Sequence, residues 1–178
     1  MRINYTTYDV RRAQDSVNPR NHADIMVLAY EDDNVPVADS NSPEAYWYAR
    51  IIGIFHTYVV HTGPESVTSD PQRMDFLWVR WFGQDPSHRS GFRAKRLPRV
   101  GFISSDDDGA FGFLDPQEVI RAVHLMPAFA HGKTTELLGP SVARQPKDGP
   151  VDWQYYYVNM WVRYCQYLYE ARFNFLLF

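Results

Sequence analysis

The sequence predicts a mainly β fold: a small, SH3-like or BAH-like, partly open barrel with short helical turns and a C-terminal aromatic segment. Three observations carry this. The chain has 178 residues, 45% of them hydrophobic, which is enough for one core and short for two. Its two longest apolar stretches, Tyr46 to Val60 and Arg73 to Phe82, are rich in β-branched and aromatic residues, the types that fit a pleated, half-buried surface. Gly and Pro clusters bound these stretches at Gly63-Pro64, Asp70-Pro71 and Gly83-Gln84-Asp85-Pro86, so short strands alternate with turns.

Taken in order, residues 1–22 are polar, with Arg2, Arg11, Arg12 and Arg20 and no clean period of 2 or 3.6, and form an expected N-terminal arm. Asp24 to Leu28 is a short strand that leads into an acidic, solvated loop, Tyr30 to Pro43. Tyr46 to Val60 carries apolar groups on both alternate faces and is therefore central, with Gly53 marking a bulge. In Arg73 to Phe82, Met74, Phe76, Trp78, Arg80 and Phe82 share one face, and Asp75, Leu77, Val79 and Trp81 the other.

Arg96 to Ile103 is a further strand, and Asp106-Asp107-Asp108-Gly109 a turn without the spacing of a Ca²⁺ loop. Asp115-Pro116-Gln117-Glu118 has a capping Asp, Pro at the first helical position and Glu at the third, which starts a helical turn. Val119 to Met126 returns to the core. The barrel is expected to span 23–145, followed at 146–178 by a linker and an aromatic segment in which Tyr155 to Met160 is a strand and Val162 to Phe173 a helix.

Composition narrows the function classes. A net charge of -3 removes the global basic excess of a nucleic-acid-coating protein, so any such surface is local. The single Cys165 excludes an internal disulfide and a cysteine-built metal site, and fits an intracellular, reducing compartment. No stretch is apolar for about 18 residues, so no membrane span is expected.

Nothing points to catalysis, a cofactor, a metal or a small-molecule substrate. Gly101, Gly109 and Gly112 do not sit between a strand and a long helix, as a phosphate loop requires, and no Ser lies in a nucleophile elbow. His56 and His61 are five apart, on opposite faces of a strand. Cys165 among aromatics behaves as a small hydrophobe.

Binding has more support. Between residues 73 and 99 the cations Arg73, Arg80, Arg89, Arg93, Lys95, Arg96 and Arg99 face only Asp75 and Asp85, seven against two, for a local +5. Of these, Arg80, Arg89, Arg93, Lys95, Arg96 and Arg99 are the expected phosphate contacts, beside rings that stack on bases: Trp78, Trp81, Phe82 and Phe92. The alternative is a solvated basic loop paired with the acidic ones. A second surface is an aromatic one, Tyr48, Trp78 and Trp81 with Tyr46 and Trp47, which as convergent rings would hold a quaternary ammonium and otherwise are core.

Six strings resemble a known group: Tyr46 to His56, Gln72 to Gly83, Ala110 to Pro116, Val119 to Phe129, Leu138-Gly139-Pro140-Ser141, and Tyr155 to Met160. They are similar to the C-terminal region of the Plavaka and KDZ-type transposases of mushroom-forming fungi, over about Arg2 to Val162. The resemblance implies a transposon-derived, nuclear protein whose partners are DNA, chromatin protein or a transposase core. The RNase H-like carboxylate core of such proteins lies upstream of the part resembled, so metal-dependent strand transfer is not implied. Past Val162 the chain departs from the pattern. A second resemblance, in the order Ala49-Arg50-Ile51, Val79 to Phe82 and Val119 to Leu125, is to the bromo-adjacent homology domain, and implies a chromatin reader.

The function expected from the sequence is a non-catalytic module that binds chromatin protein or nucleic acid. The alternative is a packing module or a remnant without activity of its own, self-associating through Trp161 to Phe178.

Overall fold

The computed structural model describes residues 1–6, 12–29, 46–63, 68–91, 94–145 and 148–159. The Tyr30 to Pro43 loop, Phe92, Arg93 and the Val162 to Phe173 helix lie outside the described residues.

The fold is mainly β. Twelve strands are described: β1 (Arg2–Thr6), β2 (Arg12–Ser16), β3 (Asp24–Leu28), β4 (Tyr46–Val59), β5 (Gln72–Gln84), β6 (Arg99–Phe102), β7 (Phe111–Leu114), β8 (Val119–Ala122), β9 (Leu125–Pro127), β10 (Lys133–Thr134), β11 (Asp152–Trp153) and β12 (Tyr156–Val158). The main sheet runs β8-β3-β4-β5-β6-β12-β9, with β7 added to β5. The sheet curls into a half-barrel. Its two ends, β8 and β9, are separated by two residues of chain, so the segment from Val119 to Pro127 lies at both ends of the strand order.

Strands β4 and β5 dominate because their side chains are apolar on both faces near the centre. Leu77 and Val79 of β5 pack with Ile25, Val27, Ala49 and Ile51 into one cluster. Tyr48 and Phe82 turn the other way, into a cluster with Met26, Val100, Phe102, Leu125, Tyr156 and Val158. The register between the two strands shifts between Ile51 and Gly53, the bulge expected at Gly53.

The expected polar arm at residues 1–22 is a β hairpin. Arg2 pairs with Ser16 through to Thr6 with Arg12, and the Met1 amino group donates to the Val17 carbonyl (2.9 Å). Ile3 and Val17 cap the first cluster. Ile3 and Val17, with Met1 packed beside them, do not fall into a period of 2 or 3.6, so no repeat is legible there.

Asp115 caps a single 3₁₀ turn, Pro116–Glu118, and accepts from the Gln117 N–H (2.8 Å). Asp107 caps another in the same way, accepting from the Gly109 N–H (2.7 Å), so one of the three adjacent aspartates is a turn residue.

Candidate functional site

Beside the sheet lies an open groove of about 1180 Å³. One wall is the start of β4 and the end of β5, with Tyr46, Trp47, Tyr48, Trp81 and Phe82; the other is the loop from Asp85 to Ala94, with Pro86, His88, Arg89 and Ser90. Ile103, Gly109 and Phe111 also line it.

The rings converge because β4 and β5 pair Ala49 with Trp81, which sets Trp47 and Trp81 on one face. Their indoles meet edge to face, with centroids 5.9 Å apart and planes at 77°. Trp47 is 47% exposed. Behind Trp81 stands Gly112, where a Cβ would lie 2.8 Å from the indole Nε1, so the absence of a side chain on β7 is what lets the ring sit there.

The loop is built by its own acid. Asp85 accepts from the Ser87 N–H (2.9 Å) and hydroxyl (2.7 Å) and from Arg99 Nε (2.7 Å). Burial alone would raise the Asp85 carboxyl; the Ser87 and Arg99 donors outweigh it and hold the group below its ordinary value. The backbone closes the loop twice more, with the Asp85 N–H donating to the Arg99 carbonyl (3.0 Å) and the Gly91 N–H to that of Arg96 (2.9 Å). Gly91 takes φ +100°, a conformation glycine adopts without strain.

The structure divides the expected phosphate contacts. Arg89, Lys95 and Arg96 are exposed and make no ion pair among the described residues, and Arg89 lines the groove. Arg99 is engaged by Asp85 (2.6 Å), and its guanidinium lies 4.8 Å from the Tyr155 ring centroid. Arg93 lies outside the described residues.

Arg80 is corrected outright: it is 4% exposed. Arg50 and Arg80 oppose each other across β4 and β5, and like charges so placed need counter-ions. Asp24 binds Arg50 (2.7 Å), while Asp152 takes both Arg80 (3.1 Å) and Arg144 (3.1 Å). Arg144 also donates to the Leu138 carbonyl. Burial lowers the Arg80 pKa more than Asp152 raises it; at Arg50 burial also lowers it, but Asp24 prevails and the value is raised. Arg80 lies 3.8 Å from the Phe102 ring centroid, inside the half-barrel rather than on a binding surface.

The expected aromatic surface is also corrected. Tyr48 is 1% exposed, packed in the core. Trp78 and Trp81 are three apart on one strand, so period-two alternation sends them to opposite faces, and Trp78 packs toward Phe111 (6.3 Å) outside the groove. The rings that do meet on one face are Trp47 and Trp81. Phe111, which the sequence reading missed, also lines the groove, but β7 pairs it with Arg80 and so sets its ring on the face of Trp78.

No group of three or more metal-ligating side chains occurs among the described residues, and no helix among them is long and apolar enough to cross a membrane. No family model matches the sequence, and no curated protein or solved structure is similar to it.

Proposed function

We propose that the protein is a non-catalytic binding module that takes single-stranded nucleic acid in the groove. The observation that carries this is the adjacency of the Trp47 and Trp81 indoles on one wall with cations that no acid among the described residues neutralises, Arg89 on the other wall and Lys95 and Arg96 on the same loop. Rings of this kind stack on any base, and guanidinium and ammonium groups track the phosphates without reading sequence. The resemblance to transposase C-terminal regions supports the same reading, with a nuclear location and a strand-transfer core as neighbour.

A labelled single-stranded oligonucleotide, titrated by fluorescence anisotropy, tests it. Trp47→Ala should weaken binding by roughly tenfold to a hundredfold, the range for losing one stacked base. Equal affinity in the wild type and the variant rejects the groove as the site.

A second reading, a protein reader for methylated lysine, is favoured by the perpendicular Trp47 and Trp81 rings and by the exposed Asp106 and Asp108 on the turn that carries Gly109. Two indole faces at right angles with nearby carboxylates suit a quaternary ammonium. Histone peptides with and without trimethyllysine separate the readings: a preference abolished by Trp47→Ala establishes the reader, and no preference removes it.

A further inference from the structure

We infer that the outer half of β4 together with the residue that follows it, residues 54–60, is a self-complementary edge that pairs with the same segment of a second copy of this chain.

From Phe55 and Phe76 outward, past the last pair with β7 at Leu77, β4 and β5 continue as a two-stranded ribbon among the described residues. On the edge of β4 away from β5, strand β3 reaches only to Arg50, and the last contact is the Gln145 side-chain amide donating to the Ile52 carbonyl (3.3 Å). Past that point no described strand pairs with this edge. The segment reads Ile54-Phe55-His56-Thr57-Tyr58-Val59-Val60, without Asp, Glu, Lys, Arg, Gly or Pro. Exposed edges are ordinarily blunted by those residues, and none is present. All seven side chains are exposed, Tyr58 at 65%.

The composition selects the partner. Antiparallel pairing about a two-fold axis at Thr57 sets Ile54 against Val60, Phe55 against Val59 and His56 against Tyr58. Every pair is apolar or aromatic, and no like charges meet. On the neighbouring strand, Arg73 and Asp75 satisfy each other (2.7 Å) and add no repulsion. Ile54, Phe55, Tyr58, Val59 and Val60 are 38–65% exposed, so a seven-residue edge offers a contact at the small end of specific interfaces. The dimer is therefore weak and dissociates on dilution, with a midpoint on the order of micromolar.

Sedimentation velocity of the full chain between about 1 and 200 μM tests this. The weight-average mass should rise from the monomer value of 20.8 kDa toward twice that. Thr57→Lys and Thr57→Glu each place like charges at the axis and should remain monomeric throughout, with unchanged circular dichroism. Mixed in equal amounts, they should associate again. A wild type that stays monomeric overturns the proposal. So does association that persists in Thr57→Lys, which would put the contact elsewhere, residues 161–178 included, and so does a mixture that fails to associate.

Discussion

At Gly112 a single hydrogen atom decides where an indole sits. A methyl group there meets Trp81 Nε1 at 2.8 Å, so Gly112→Ala should displace the ring and open the Trp47 and Trp81 angle. The expected outcome is a shifted tryptophan emission maximum and weaker oligonucleotide binding, with most of the fold retained because the clash is with a side chain. Gly101 differs: its Cβ would lie 2.9 Å from the Gln154 carbonyl oxygen, which cannot rotate away. Gly101→Ala should therefore lower Tm, at a cost of about 1–3 kcal/mol. Asp152 is the third sensitive residue. Its removal leaves Arg80 and Arg144 buried without their shared counter-ion, and Asp152→Ala should cost about 3–5 kcal/mol in denaturant unfolding.

Among the elements, the loop from Asp85 to Arg99 couples electrostatics to the site. Its acid has a folded pKa below the unfolded one, so its contribution is complete above the unfolded value of about 4 and is lost as pH falls through the lower folded value. Amide hydrogen-exchange protection at 85–99, taken relative to the intrinsic rate at each pH, should fall in acid, and Asp85→Asn should show low protection already at neutral pH. The same loop marks what the sequence could reveal. Its basic character was legible, as were β4, β5 and the Gly53 bulge, because β-branched runs and turn residues are local signals. The neutralisation of Arg80 was not, since its partner Asp152 lies 72 residues away. Trp78 and Trp81 show the limit differently: alternation already sends them apart, but only the pairing of β4 with β5 shows that Trp47 is the ring that meets Trp81.

On the scale of the whole molecule, a curled sheet packs one face of the inner halves of β4 and β5 into the cluster that Ile3 and Val17 join and wraps the other inside the half-barrel. That arrangement consumes Arg50 and Arg80 internally and, among the described residues, leaves Arg89 in the groove and Lys95 and Arg96 on the same loop as exposed cations. The net charge of -3 conceals this division between buried and accessible cations. Its consequence is quantitative, because each phosphate contact releases a counterion. The salt dependence of single-stranded oligonucleotide binding is the most direct test. Three contacts predict a slope of log K against log salt of about −2, falling toward zero in the Arg89, Lys95, Arg96 triple alanine variant. A wild-type slope near zero, or one the triple variant leaves unchanged, would contradict the account.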